Sequence, residues 1–429
     1  MRIVYLAAGA AGMHCGACAR DVTLVRALMA RGHDVLLMPL YTPLEVDGPD
    51  PSGRRIFYGG LNAYLEQKSA LFRRRLPLID RILSSRPLLR AVSRFAVNTR
   101  PEGLGAMTVS VLQGTEGRQA KELDRLVEYL LDGERPDVIN LTNSLLSAVA
   151  PEIKRRLGVP VVCTLQGEES FIGQLPEPHG TQAHELVRRH AESIDEFISP
   201  HASYAAEMAD WLNVPGERFR IVRPGVDLEA YRPGGLREPR RLLRVGFLSR
   251  IAPAKGADLV CRAFAELERR RPGAATLAMA GQLAPRDREW WNGAVADLAA
   301  IGLGERFEFR GLLAYDDKLA FLRGLDVFVQ PSRMAERRGM AALEALASGV
   351  PIIVPRAGVF PEITELTGGG LLVEPDSADA VADALVRLVD DLEELARLSR
   401  AARPGVEPHF SADAMAEATL AVYRDLVSD

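Results

Sequence analysis

Residues 331–351 of this 429-residue chain read PSRMAERRGMAALEALASGVP. An apolar run at 327–329 precedes them and predicts a strand, whereas Met340–Ala347 are nearly all strong helix formers. Gly349 and Pro351 then end the predicted helix. The pattern therefore predicts a strand, a polar loop that carries Glu336, and a short helix that carries Glu344.

The start of this helix combines two kinds of binding group. The first backbone N–H groups of a helix lack partners within it, so Gly339, Met340 and Ala341 offer an anion site. Glu336 and Glu344 add carboxylates, which accept hydrogen bonds from hydroxyl groups. Groups that can bind both phosphate and hydroxyls favour a sugar-nucleotide pocket.

Apolar runs alternate with helical segments along the whole chain, which indicates an α/β protein with parallel sheets. The chain is too long for one ordinary core, so we expect two Rossmann-like domains. A Pro- and Gly-rich junction places the boundary between residues 1–222 and residues 223–410. The last predicted helix, 411–429, is amphipathic, and we expect it to pack back on the first domain.

Composition argues against several classes of function. The net charge of −4 disfavours a nucleic-acid partner, and no apolar run is long enough to span a membrane. Four cysteines exclude a disulfide scaffold and fit a reducing cytoplasm. The run at 3–8 is short for a signal sequence and is predicted to be the first strand. We therefore expect a cytoplasmic protein.

A basic segment at 66–98 carries eight basic and two acidic residues, with apolar residues interleaved at helical spacing. A solvated helical hairpin packed on the first domain is the simpler interpretation. The alternative is a surface that contacts anionic lipid or an anionic acceptor, which would attach the protein peripherally to the inner face of the membrane.

Two cations follow the first predicted strand of the second half. Arg250 and Lys255 lie in the loop at the carboxyl edge of the sheet, where open α/β sheets bind ligands. Such a pair, ahead of a helix N-terminus, can bind a diphosphate and stabilise the charge of a departing nucleotide. Solvated surface cations are the alternative, but the two glutamates downstream favour a binding site.

With these features together, the second half resembles the donor domain of the retaining glycosyltransferases of family 4, which have the GT-B fold. The matching segments are 246–256, 279–281, 309–312, 326–332, the Glu336/Glu344 pair and 369–375. The first half matches in its Gly-rich loop after the first strand, in 31–35 and in 222–227. The resemblance implies two domains that face an interdomain cleft, with the acceptor on the N-terminal domain.

The resemblance also implies residue roles. Arg250 and Lys255 would bind the donor diphosphate, Glu336 the hydroxyls of the transferred sugar, and Glu344 the ribose. The backbone at Gly339, Met340 and Ala341 would bind phosphate, and that at Gly311 the base. No metal ion and no other cofactor would be needed.

Two positions depart from the family pattern. The family usually has phenylalanine where this chain has Arg338, which could bind a phosphate or a charged sugar or point to solvent. A histidine usually follows the strand that ends at Leu165, but Gln166 stands here, with Glu168 close behind. Either residue could orient the acceptor or the sugar, although an exposed acidic pair at Glu168 and Glu169 is the favoured interpretation.

Cys15 and Cys18 form a Cys-x-x-Cys pair that suggests a metal or redox site. No second pair has matching spacing and no thioredoxin-like context surrounds it. The favoured interpretation is a tight loop in which Gly12 and Gly16 let the backbone approach the donor or the acceptor.

The resemblance thus implies a metal-independent, retaining hexosyltransferase. It would move a sugar from a nucleotide diphosphate sugar to a hydroxyl of a glycan, a lipid-linked molecule or a small molecule. The resemblance implies front-face transfer, in which the leaving diphosphate itself would draw the proton from the acceptor. The alternatives are an epimerase or a phosphorylase on the same fold, and a catalytically silent protein that binds sugar nucleotides.

Overall fold

The computed structural model describes residues 1–9, 16–44, 51, 67, 101–233 and 242–428. The chain divides into two compact units, residues 1–223 together with 415–429, and residues 224–414. Gly12, Cys15 and the basic segment 66–98, apart from Gln67, lie outside the described residues. In the part that the structure describes, no helix has the length and apolar character needed to cross a membrane.

The first unit contains a parallel six-stranded sheet in the order β2-β1-β3-β4-β5-β6. Its strands are β1 (Arg2–Ala7), β2 (Asp34–Pro39), β3 (Val138–Leu141), β4 (Val161–Thr164), β5 (Glu196–Ser199) and β6 (Phe219–Ile221). Strand β1 lies between β2 and β3, and its residue Ile3 lies opposite Val35 on one side and Val138 on the other. Strands β3 and β4 are buried at every position, as expected where helices cover both faces of a parallel sheet.

Helices of the first unit follow the strands along the chain. They are α1 (Gly16–Ala30), α2 (Pro101–Leu112), α3 (Ala120–Asp132), α4 (Ala150–Leu157), α5 (Glu168–Ile172), α6 (His179–Ala191) and α7 (Ala202–Leu212).

The second unit repeats the design with a parallel sheet in the order β12-β11-β10-β7-β8-β9. Its strands are β7 (Leu243–Leu248), β8 (Ala275–Ala280), β9 (Phe307–Phe309), β10 (Val327–Val329), β11 (Ile352–Pro355) and β12 (Gly370–Val373). Its helices, with the last helix of the chain, are α8 (Ala257–Arg270), α9 (Arg288–Ala300), α10 (Tyr315–Gly324), α11 (Met340–Ala347), α12 (Phe360–Thr367), α13 (Ala378–Asp390), α14 (Leu392–Phe410) and α15 (Ala412–Ser428).

The predicted α/β architecture with two parallel sheets is confirmed. Helix α11 has the predicted bounds, because Gly339 and Gly349 both adopt the left-handed conformation that delimits it. Helix α1 begins at Gly16, a residue that was predicted to lie in a tight loop. The end of α15 belongs to the first unit, where the Tyr423 hydroxyl donates to Asn140 Oδ1 at 3.0 Å.

Strand order explains why distant segments meet in the second unit. Strands β7 and β10 are adjacent and parallel, and Val245 pairs with Val327. The loops that leave their carboxyl ends, at 249–256 and 330–339, therefore lie at the same edge of the sheet.

Candidate functional site

Close backbone packing joins these two loops. Gly256 has φ +71°, and a Cβ atom there would lie only 2.1 Å from the Pro331 carbonyl oxygen. The backbone N–H of Arg333 donates to the carbonyl of Ala254 at 3.1 Å. Glycine is needed at position 256 both for its conformation and for this approach, which brings the turn carrying Lys255 against the loop carrying Glu336.

The side chain of Arg333 strengthens the same junction. Its guanidinium binds both carboxylate oxygens of Asp258 at 2.8 Å and the Pro253 carbonyl at 2.6 Å. It also donates to Asp376 at 2.6 Å. Burial would raise the pKa of Asp258, but Arg333 and Arg262 hold it below its usual value. Arg333, for which no role was predicted, connects three segments here.

Lys255 and Glu336 meet at this junction. Lys255 Nζ lies 2.5 Å from Glu336 Oε1, and both side chains are largely buried, at 13% and 14% exposure. Ser332 Oγ and Gln330 Nε2 donate to the same oxygen at 2.7 and 3.2 Å. Within the described ranges, Glu336 Oε2 receives no hydrogen bond, so this oxygen is available to a ligand hydroxyl.

Glu336 is held in its ionised form. Burial would raise the pKa of its carboxyl, but the charge and the hydrogen bond of Lys255 outweigh that effect. The hydrogen bond from Ser332 and the positive charge of Arg338 add to the lowering, so the pKa lies below its usual value. Arg338 is half-buried, and its charge acts directly on this carboxylate.

The start of α11 lies beside Glu336 and presents its backbone donors. Gly339 has φ +63°, and a Cβ atom there would lie 2.7 Å from Ile363 Cδ1. Among the residues that the structure describes, none accepts a hydrogen bond from the N–H groups of Gly339, Met340 or Ala341. This helix start is therefore open to an anion.

The backbone of Glu336 is also fixed by the segment before α12. The N–H of Val359 donates to the Glu336 carbonyl at 2.9 Å. Gly358 has φ +58°, and a Cβ atom there would lie 2.4 Å from the Glu336 carbonyl oxygen. The carboxylate is therefore held by both its backbone and its side-chain contacts.

Glu344 forms a second carboxylate–lysine group on α11. The Tyr231 hydroxyl donates to Glu344 Oε1 at 2.7 Å, and Lys318 Nζ lies 3.2 Å from the same oxygen. Neither Tyr231 nor Lys318 was predicted as a site residue. The sequence signal that could have indicated Lys318 is the scarcity of lysine, because the chain has only five lysines. In the structure, two of the five pair with these two glutamates.

Arg250 and Gly311 lie on loops at the same edge of this sheet. The Arg250 side chain is exposed and makes no ion pair with any described residue. The Gly311 carbonyl accepts the N–H of Gly281 at 2.7 Å. Gly281 approaches the Ser249 carbonyl so closely that a Cβ atom would lie 1.6 Å from it. These contacts place the Gly311 loop next to the loop that begins with Arg250.

In the first unit, Gln166 belongs to a buried polar network at the carboxyl ends of β1, β3 and β4. Gln166 Nε2 donates to the carbonyl and hydroxyl oxygens of Thr142 at 2.9 and 2.8 Å and to Asp21 at 3.3 Å. The Tyr5 hydroxyl and the Arg20 guanidinium also donate to Asp21, at 2.7 and 3.0 Å. Asp21 thus fixes the orientation of the Gln166 amide, because a carboxylate accepts only from its nitrogen.

The favoured interpretation of Glu168 as part of an exposed acidic pair is wrong. Glu168 is buried, and its two oxygens accept the backbone N–H groups of Ser144 and Gln166 at 2.8 and 2.7 Å. Burial raises the pKa of its carboxyl, although these two hydrogen bonds oppose the rise. Glu169 is half-buried and accepts the Tyr204 hydroxyl at 2.5 Å. Glu168 therefore connects the loops after β3 and β4.

We expect Glu168→Gln to lower the free energy of unfolding by about 1–3 kcal/mol. Both carboxylate oxygens accept an N–H group, so either orientation of a glutamine amide would place an NH₂ donor against a backbone donor. Urea denaturation of both proteins measures the change. Glu169→Gln is the control, since its amide oxygen can still accept from Tyr204. A Glu168→Gln midpoint equal to that of the wild type would contradict this account.

Two family models match successive parts of the chain. The model described as Glycosyl transferase 4-like domain matches residues 19–225, and that described as Glycosyl transferases group 1 matches residues 235–404. The chain belongs to the group 1 glycosyltransferases of family 4. The resemblance seen in the sequence is therefore confirmed.

Two curated relatives of this glycosyltransferase are named for inositol-containing acceptors. The D-inositol 3-phosphate glycosyltransferase of Saccharomonospora viridis is 28% identical over 415 residues, which are 90% of this chain and 92% of the relative. The GDP-mannose-dependent alpha-(1-6)-phosphatidylinositol monomannoside mannosyltransferase of Mycobacterium tuberculosis is 29% identical over 288 residues. That match covers 63% of this chain and 71% of the relative.

Solved structures show the GT-B fold of this glycosyltransferase. Sucrose-phosphate synthase from Thermosynechococcus elongatus superposes with a TM-score of 0.71 at 19% identity, covering 100% of both chains. HepE of Anabaena, in complex with UDP and glucose, superposes with a TM-score of 0.66 at 16% identity. That match covers 99% of this chain and 100% of HepE.

Proposed function

We propose that this glycosyltransferase moves a hexosyl group from a nucleotide diphosphate sugar to an acceptor hydroxyl, with retention of anomeric configuration and without a metal ion. One observation carries the proposal. The ionised Glu336 carboxylate lies against Lys255 and beside the open N-terminus of α11. A carboxylate that can bind hydroxyls is therefore next to an ammonium and backbone N–H groups that can bind phosphate.

Lys255, Arg250 and the N-terminus of α11 are proposed to bind the diphosphate. Their positive charge and unpaired N–H groups can stabilise the negative charge that develops on the departing nucleotide diphosphate. A divalent cation would supply the same stabilisation in other transferases, so we propose that these groups replace it here. The UDP bound to HepE and the GDP-mannose used by the mycobacterial relative support a nucleotide diphosphate donor.

Glu336 is proposed to bind hydroxyls of the transferred sugar rather than to attack its anomeric carbon. Three donors converge on Oε1, and such hydrogen bonding with a lowered pKa reduces the basicity and nucleophilicity of a carboxylate. We therefore propose front-face transfer, in which the leaving diphosphate draws the proton from the acceptor hydroxyl. Glu344 would bind the ribose, and the backbone at Gly311 the base.

The acceptor is proposed to bind the first unit near Gln166, whose amide is fixed by Asp21 and Thr142. Inositol 3-phosphate and phosphatidylinositol monomannoside are the first acceptors to test, because two curated relatives are named for them. Backbone Gly16, at the start of α1, would approach the donor or the acceptor.

A panel of UDP-, GDP- and ADP-sugars, supplied with these acceptors in the presence of EDTA, tests the proposal. We expect one donor to be consumed, with EDTA having no effect, and NMR to show the donor's anomeric configuration in the product. An epimerase would instead yield an epimerised donor without acceptor, and a phosphorylase would require inorganic phosphate. Saturable donor binding without turnover would identify a silent binding protein.

A further inference from the structure

We propose that Lys318 and Tyr231 position the Glu344 carboxylate and thereby make the donor site selective for ribonucleotides over 2′-deoxyribonucleotides. The inference rests on the proposed function, in which Glu344 binds the ribose. Lys318 and Tyr231 act through Glu344 and are therefore positioning residues. All three side chains belong to the second unit.

Both donors converge on one oxygen of the carboxylate. Tyr231 Oη lies 2.7 Å and Lys318 Nζ 3.2 Å from Glu344 Oε1, and the Glu344 side chain is only 13% exposed. Two donors on one oxygen fix the rotation of the carboxylate about its last bond. Oε2 is then the oxygen left for the ligand, since no described residue donates to it.

The ammonium of Lys318 is itself confined. Nζ lies 5.5 Å from the ring centroid of Tyr231 and 5.3 Å from that of Tyr315, both within the range of a cation–π interaction. With aromatic rings and a carboxylate around it, the charge has a defined position, and only 18% of the side chain is exposed. Lys318 can therefore hold Glu344 in place instead of moving with it.

Tyr231 is fixed through its backbone. Its side chain is buried, and Arg403 Nη1 donates to its carbonyl at 2.6 Å and to the carbonyl of Ala347, the last residue of α11, at 2.9 Å. The arginine thus joins the segment that carries Tyr231 to the helix that carries Glu344. The geometry of the Tyr231–Glu344 hydrogen bond follows from this connection.

Charge balance gives Lys318 a second role. An unpaired carboxylate beside a diphosphate would repel it, because both groups are negatively charged. Each of the two glutamates is paired with its own lysine: Glu336 with Lys255, and Glu344 with Lys318. The paired Glu344 can accept hydrogen bonds from ribose hydroxyls without adding a net negative charge. Removal of the 2′-hydroxyl leaves a buried acceptor partly unsatisfied, which lowers affinity.

Calorimetric binding of UDP and 2′-deoxy-UDP, or of the matching pair for the base that the donor panel selects, tests the inference. We expect the wild type to prefer the ribonucleotide by about 10- to 100-fold. Lys318→Met should reduce this preference to about threefold or less, mainly by weakening ribonucleotide binding. Lys318→Arg should restore part of it, and Tyr231→Phe should give an intermediate ratio.

Lys154→Met is the matched control, because Lys154 also pairs with a carboxylate, that of Asp195, but in the first unit. It should leave the ratio of ribonucleotide to deoxyribonucleotide affinity unchanged.

A Lys318→Met protein that retains the wild-type ratio, or that loses affinity equally for both nucleotides, overturns the inference. If Lys318→Met does not fold, an unchanged ratio in Tyr231→Phe overturns it instead. A wild type that binds UDP without discrimination would refute the ribose role of Glu344 itself, whereas a wild type that binds no nucleotide would refute the proposed function.

Discussion

Glu336→Gln should lower kcat/KM for sugar transfer by about 100-fold or more. The change removes the negative charge that is proposed to accept hydrogen bonds from the transferred sugar, and it leaves Lys255 without its counterion. The NH₂ group of the glutamine amide is a hydrogen-bond donor, so it cannot accept the hydrogen bond that the ligand hydroxyl would donate to a carboxylate oxygen. Steady-state kinetics with the donor selected from the panel, and with its hydrolysis followed in parallel, measure the loss.

This variant should remain folded, because the amide oxygen can still accept from Lys255, Ser332 and Gln330. A melting temperature close to that of the wild type would show that the lost activity comes from the missing carboxylate and not from unfolding. The control is Glu266→Gln on α8, a glutamate paired with Arg269 and Arg270 at the protein surface, where such pairs contribute little. Transfer and hydrolysis at the wild-type rate in Glu336→Gln would show that its assigned role is wrong.

Local sequence signals were sufficient to predict the segment around Glu336. Helix formers in a row fix α11, and glycines in the left-handed conformation delimit it. The position of β10 followed from the short apolar run at 327–329, because a parallel sheet covered on both faces requires apolar side chains throughout. Such signals act over a few residues, so the sequence shows them directly.

The pairing of charged groups could not be predicted in the same way. Lys318 and Glu344 are separated by 26 residues, and Tyr231 and Glu344 by 113. Their contact depends on how α10 and α11 pack, which no local pattern encodes. Arg333 illustrates the same limit, since its partners Asp258 and Asp376 become neighbours only after the sheet has assembled.

Burial of Glu168 escaped prediction for a different physical reason. A polar run such as QGEES at 166–170 is typical of a surface loop. Here the carboxylate instead satisfies two backbone N–H groups that the ends of β3 and β4 leave unpaired. Where backbone donors need an acceptor inside the protein, an acidic residue can be the stable choice.

Lys255→Met should abolish most transfer activity and lower the free energy of unfolding by about 3 kcal/mol at neutral pH. Removal of the Lys255 ammonium would deprive the diphosphate of its proposed cation and leave Glu336 as a buried charge without its closest counterion. Thermal unfolding followed across pH, together with transfer kinetics, measures both effects. Lys154→Met again serves as the control, because its ion pair with Asp195 is more exposed.

The pH dependence of this destabilisation has a definite sign. In the wild type, Lys255 helps to lower the pKa of Glu336, so the pair contributes stability that is present above the usual pKa of a glutamate and is lost as the pH falls through the lowered value. Without Lys255, burial dominates and the pKa of Glu336 moves upward. The variant should therefore differ least from the wild type in acid and most at neutral pH.

A double variant that combines Lys255→Met with Glu336→Gln distinguishes the effect of the unpaired charge on stability from the loss of transfer activity. The double variant no longer contains the unpaired Glu336 charge, so its stability should exceed that of Lys255→Met alone at neutral pH and should lose the added pH dependence. Activity should not recover, because phosphate binding and sugar binding are both impaired. If the double variant is no more stable than Lys255→Met, the two side chains do not interact as the 2.5 Å contact indicates.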